Sequence, residues 1–222
     1  MATLLAALAY GILSLDHFTV GPFLLSRPLI LSSLVGFLCG HVPEGIALGL
    51  LTESLWVVVP PAGPAQWDVG LAAALAGVWA FLSPSGGPSS SVSGAATALA
   101  LILSIPFAVL CRSVDIWLRR QMRILSVRAL EGVERGLAGP LRYGLVFAGV
   151  LWGFKSLVVF FVAEALGGAL YGVLLPLVRG PWLEGLDRAW RLWPALGLAA
   201  LLHQLSLRLG KGRRFWLPGG GG

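Results

Sequence analysis

The stretch that decides the fold is Gly45–Asp68, "GIALGLLTESLWVVVPPAGPAQWD". It starts as an apolar helix, places Glu53 in its middle, breaks at Pro60–Pro61 and closes on Trp67–Asp68. Proline lacks the N–H that the helix ladder needs, and its ring clashes with the preceding turn, so no helix continues through "PPAGP". The apolar run 45–61 also falls short of the roughly 20 residues that a helix needs to cross hydrocarbon. A carboxylate and a helix break inside one apolar run are the marks of a chain that turns back at membrane depth.

The rest of the sequence agrees. Hydrophobic residues make up 57% of the 222 positions and charged residues only 12%, against about 25% charged in soluble domains. Composition therefore defines a membrane protein, and the length suits one domain of several spans. The net charge of +6 raises nucleic acid as a partner, but its placement excludes it. Arg119, Arg120, Arg123, Arg128, Arg135 and Arg142 fall between apolar segments, and Arg208, Lys211, Arg213 and Arg214 follow the last one. This is the loop pattern of positive-inside topology, not a stripe that tracks a phosphate backbone. Cys39 and Cys111 lie far apart in apolar runs and read as small core residues. The opening "MATLLAALAYGILSL" has no basic flank and reads as a retained first helix rather than a cleaved signal.

Apolar runs cover about 1–15, 28–41, 45–61, 69–83, 93–118, 143–178 and 193–207. The short runs crowd into the first 83 residues, and short or Gly/Pro-interrupted segments predict discontinuous, re-entrant helices around a substrate site. Ordinary tilted spans that extend through polar residues are the plainer alternative. The fold class is thus an all-α polytopic integral membrane protein with spanning helices, short re-entrant helices and an amphipathic connector. Residues 1–83 form the candidate substrate region, 84–92 a Gly/Pro/Ser loop and 93–118 a full span with Pro106 inside. Residues 119–142 form a basic connector on the cytoplasmic side, suited to anionic headgroups or to a soluble partner. In the C-terminal membrane region 143–207, Gly167–Gly168 divides the long apolar run, and Trp182, Trp190 and Trp193 suit an interfacial aromatic belt. A basic, Gly-rich tail occupies 208–222.

Ionisable groups in hydrocarbon cost about 2.5–3.5 kcal/mol each on insertion scales and need a reason to be there. Asp16, Glu53, Lys155, Glu164 and His203 are such groups, with Arg27 and Asp68 at segment edges. Glu53 reads either as an interhelical hydrogen bond or as a carboxylate that accepts hydroxyl hydrogens from a ligand. Gln66 and Asp68 follow a segment that cannot be helical, where a ligand can reach them; Asp68 is equally placed to cap the helix 69–83. Trp56 and Trp67, close in sequence to the two acids, offer aromatic stacking faces. Lys155 and Glu164 are nine residues apart, on opposite helix faces, so Lys155 needs a carboxylate from elsewhere in the bundle. His203 reads as an ordinary helix histidine. No nucleophile elbow, P-loop, HExxH or metal-spaced cluster is present, so binding and movement are expected rather than covalent chemistry, with no metal or cofactor.

The segments "LDHFTVGPFLLSRPLILSSLVGFLCG" and "EGIALGLLTESLWVVVPPAGPAQWDVGLAAALAG" resemble the IIC subunit of mannose/sorbose-class phosphotransferase-system (PTS) sugar permeases. The "LD…F" that ends the first helix, the "RPL" that opens the second and the Glu of "GIALGLLTE" carry the likeness, with the acid before "VGLAAALAG". The resemblance implies a channel subunit that binds a hexose-type sugar and offers it to phospho-IIB, working with a IID membrane subunit and a cytoplasmic IIA/IIB pair. Such a subunit is non-catalytic and part of a hetero-oligomer in the bacterial inner membrane. Asp16, Arg27, Glu53 and Asp68 match the family's motif positions and are carried over as site or gate residues. The likeness departs in the longer Asp16–Arg27 spacer, in the shorter Glu53–Asp68 segment, and in "GRRFWLPGGGG", where members begin a final apolar helix. A shortened, degenerate relative serving as a membrane scaffold or sensor is the second reading.

Overall fold

The computed structural model describes residues 1–17, 24–56, 67–83, 92–136 and 139–215, and every regular element among them is helical. Helix α1 spans Ala2–Leu13 and runs into a 3-10 turn, Ser14–His17. Then come α2 (Pro28–Cys39), α3 (Val42–Trp56), α4 (Val69–Phe81) and α5 (Gly94–Glu134). Helix α6 (Gly139–Ala163) passes through a π turn, Glu164–Gly168, into α7 (Ala169–Leu174) and a 3-10 turn, Leu175–Leu177. Helix α8 (Pro181–Phe215) closes the order.

Helix α4 explains the centre of the molecule. "VGLAAALAGVWAF" has no polar residue on any face, and a helix that is apolar all round must be covered all round. Every residue from Gly70 to Phe81 is buried, with α2 and α5 packed on it and α1 and α3 beside them. Its alanines and glycines let those neighbours come close. The Asp68 side chain caps it, accepting the Leu71 N–H at 2.8 Å.

Helices α2 and α3 form a tight hairpin. Gly40 ends α2 in the left-handed region at φ 81°, the His41 N–H bonds the Gly36 carbonyl at 2.7 Å, and the Gly40 N–H bonds that of Phe37 at 3.3 Å. This pair of bonds is a Schellman stop. Gly36 and Gly45 then cross with almost no space between them: a Cβ on Gly45 would sit 2.6 Å from the Ser32 carbonyl oxygen and 2.9 Å from Gly36 Cα.

Helices α1 to α4 have 12, 12, 15 and 13 residues, so each rises about 18–23 Å at 1.5 Å per residue. That falls short of the roughly 30 Å of hydrocarbon, so none of them reaches across it over its described length. Two longer segments are apolar enough to cross, Gly94–Glu134 and Gly139–Leu177. The molecule is a polytopic, all-helical membrane protein in which short helices pack against long ones.

The long helices differ from the sequence expectation at two boundaries. The span 93–118 and the connector 119–142 are not separate: α5 runs through Pro106 and past Arg119 to Glu134 without a break, and Gly139–Arg142 already belong to α6. Gly167–Gly168 does not divide the following run either. Gly167 faces the Trp79 indole so closely that no Cβ fits, so the glycine serves a close approach and the chain stays helical through a π turn. Trp190 and Trp193 pack against the core, 6.2 Å apart, whereas Trp182 is exposed. The expected break at Pro60–Pro61 lies outside the described residues.

The Gly45 crossing meets backbone, which cannot move aside. Gly45→Ala is expected to lower stability by about 1–3 kcal/mol, read as a drop in Tm in detergent. Gly144→Ala, whose nearest neighbour would be 3.8 Å away, should leave Tm unchanged or raise it.

Candidate functional site

The turn Leu24–Arg27, just before α2, is where the predicted site residues meet. Leu24 takes the left-handed region at φ 65°, a conformation that a branched residue adopts only when its surroundings hold it there. The Arg27 N–H closes the turn on the Leu24 carbonyl at 3.2 Å. Each following residue then contacts a different element. The Leu25 N–H donates to Asp16 Oδ2 at 2.7 Å, from the turn after α1. The Ser26 carbonyl oxygen lies against Gly70 in the first turn of α4, where a Cβ would collide with it. Arg27 Nη1 donates to Glu53 Oε1 at 2.7 Å, in the last turn of α3. The N-terminal ends of α2 and α4 converge here, and both carry partial positive charge.

Asp16 is buried, at 4% exposure, while Arg27 and Glu53 are half-buried. One oxygen of Glu53 is held by Arg27; the other, Oε2, is buried with no partner. Ser26 Oγ, next to Arg27, is also buried without a partner. A buried polar atom left unpaired costs about 1–3 kcal/mol, and two such atoms belong to Glu53 and to the residue before Arg27. Beyond this turn, Gly197 of α8 sits directly against Ser54, the residue after Glu53, so α8 forms the adjoining wall.

Asp68 stands differently. Its Oδ1 caps α4, and its Oδ2 accepts the Tyr10 hydroxyl at 2.5 Å, with the Cys111 thiol at 3.8 Å. Lys155 Nζ lies 3.5 Å from Cys111 Sγ and donates to Asp115 Oδ1 at 2.7 Å. This buried polar row ties α1, α4, α5 and α6 together, and the Trp152 ring covers Lys155 at 5.2 Å. Ser14, in the turn after α1, donates to Ser156 of α6 at 2.8 Å and adds a second tie between the first helix and α6.

The structure thus gathers Asp16, Arg27 and Glu53 around one turn and sets Asp68 against the same turn through α4. Trp67 is 43% exposed. Gln66 and the Trp56 side chain lie outside the described residues. Lys155 finds its carboxylate in Asp115, and Glu164 accepts the Trp79 indole N–H at 2.6 Å. Sequence reading passed over Ser26, Tyr10 and Asp115. Tyr10 carries a signal, as the one aromatic residue, with a polar tip, in the apolar helix "ATLLAALAYGIL". Asp115 sits beside the arginines of "CRSVDIWLRR", where it resembles an interface charge.

Short membrane helices that meet at a charged cluster, packed against long spanning helices, define a polytopic membrane subunit. The family model of the PTS system sorbose-specific IIC component matches residues 1–208, and the chain belongs to that family. It is therefore a membrane subunit of PTS sugar transport. A solved structure described as "Structure of membrane protein" shares the fold at a TM-score of 0.71 and 18% identity, covering 98% of this chain and 87% of that one. Among curated proteins, none matches.

The Trp79–Glu164 bond gives the π turn a measurable role. Glu164→Leu strands a buried indole N–H and is expected to cost about 1–3 kcal/mol, with a red shift of tryptophan emission. Glu164→Gln keeps an acceptor, so its Tm should stay closer to that of the parent protein.

Proposed function

We propose that this IIC subunit binds a hexose-type sugar at the Arg27–Glu53 pair and carries it to phospho-IIB for phosphorylation. It works in the bacterial inner membrane with a IID-like subunit and a cytoplasmic IIA/IIB-like phosphocarrier. One observation carries the reading: Glu53 presents a buried carboxylate oxygen without a partner while Arg27 fixes the other oxygen. A carboxylate oriented in this way accepts a sugar hydroxyl without first giving up a protein hydrogen bond. Charge-assisted hydrogen bonds of this kind contribute about 1.5–3 kcal/mol. The free Ser26 hydroxyl and the Arg27 donors complete a set suited to neighbouring hydroxyls on a ring. The reading gives this subunit no covalent step; the phosphoryl group passes from IIB to a sugar that IIC holds.

Radiolabelled hexose uptake by the co-expressed complex tests the site. Glu53→Gln keeps the shape but loses the charge and puts a donor amide where an acceptor stood. It is expected to lower uptake at least about tenfold, with unchanged amounts of complex in the membrane. Uptake equal to that of the parent would remove Glu53 from the site. Uptake independent of any IIB-like phosphocarrier would remove the phosphotransfer mechanism.

A further inference from the structure

We infer that Asp68 is a positioning residue rather than a sugar contact, and that the buried Lys155–Asp115 pair, with Cys111 and Tyr10, fixes it so that α4 holds the Ser26–Arg27 turn in register with Glu53. The inference rests on the proposed sugar site and assigns its support.

Asp68 resembles Glu53 in sequence, as one of two acids that flank the same Pro/Gly stretch, but its oxygens are not available in the same way. Oδ1 is spent on the Leu71 N–H at 2.8 Å and Oδ2 on the Tyr10 hydroxyl at 2.5 Å, with Cys111 Sγ at 3.8 Å. A sugar hydroxyl would have to displace one of these bonds, whereas Glu53 Oε2 has none to lose. The surroundings of Asp68 are also fixed. Tyr10 has no exposed surface, and Cys111, Asp115 and Lys155 are 1%, 6% and 8% exposed. The Lys155 ammonium bridges them, 2.7 Å from Asp115 Oδ1 and 3.5 Å from Cys111 Sγ. Where water is excluded, such a pair holds only if each charge is met, and removal of one partner leaves the other stranded.

From Asp68 the contacts lead to the site. Asp68 caps α4, Gly70 in the first turn of α4 abuts the Ser26 carbonyl oxygen, and the next residue, Arg27, holds Glu53. The long helices α5 and α6 therefore set the height of a turn that they do not themselves form. Coupling along such a row is demonstrated by non-additivity and not by adjacency.

The test uses the co-expressed complex in a Cys39→Ala background, so that Cys111 is the only thiol of this chain. The neutral pair Lys155→Gln/Asp115→Asn removes both charges and leaves none stranded. It should reach the membrane in normal amount and raise the KM of hexose uptake about tenfold while Vmax changes little. Tyr10→Phe should raise KM about threefold, and adding Asp68→Asn to either variant should change KM little further. Maleimide labelling of Cys111 should be slow in the parent and about fivefold faster in the neutral pair, as the row loosens. An Asp68→Asn variant that abolishes uptake as Glu53→Gln does, with effects that add to Tyr10→Phe, would make Asp68 a sugar contact and overturn the inference. Unchanged KM in the neutral pair would also overturn it. If the complex takes up no hexose at all, the sugar reading fails by itself. Cys111 labelling then judges the row, and equal rates in parent and neutral pair would sink it.

Discussion

Charge held where water cannot reach it must be met by charge or by a donor from another helix, and this requirement organises the molecule. The Lys155–Asp115 pair joins α5 to α6, and the Arg27–Glu53 pair joins the start of α2 to the end of α3. In the first pair both side chains are almost wholly enclosed; in the second each keeps a share of its surface open. In the proposed reading, that difference separates a brace from a site. An enclosed pair can do little but hold its helices, while a partly open one can receive a ligand between its charges.

Helix α4 is the piece on which both pairs act. With no polar face of its own, it has no preferred side and no register set by water. Its position comes from its capping acid. Asp68 ties the N-terminal end to Tyr10 and Cys111, and small residues along the helix let α2 and α5 close on it. The same smallness appears at the Gly36–Gly45 crossing, where two backbones touch because neither residue has a side chain. The proposed site between helix ends needs those ends fixed to within a fraction of an ångström, and backbone-to-backbone contact does this with few degrees of freedom.

Much of the candidate site was legible in the chain. An acid after the first helix, an acid inside an apolar run, an arginine before "PL" and an acid after a Pro/Gly stretch are each anomalous by composition, and three of the four, Asp16, Arg27 and Glu53, lie around one turn. The capping role of Asp68 followed from its place before an apolar helix. The need of Lys155 for a distant carboxylate followed from spacing alone. The identity of that carboxylate did not, because Asp115 lies between Arg112 and the Arg119–Arg120 pair and reads as one more charge of that basic segment. Gly167–Gly168 misled for a related reason. Glycine lowers helix propensity by about 1 kcal/mol, but close packing against the Trp79 ring outweighs that cost, and the run bends through a π turn instead of ending.

By itself, the sequence determined the solvent of this protein, the shortness of its first four helices and which polar residues required a reason. These follow from composition and run length, which are local and additive. Only the tertiary structure decided which acid is free and which is occupied. Glu53 and Asp68 are the same chemistry at either end of one segment, yet one has an unpartnered oxygen and the other has both oxygens bound. That distinction depends on whether Tyr10, from the first helix, arrives within 2.5 Å of a residue 58 positions later. Spacing along the chain carries no information about such an approach, because it is set by how α1, α4 and α5 pack.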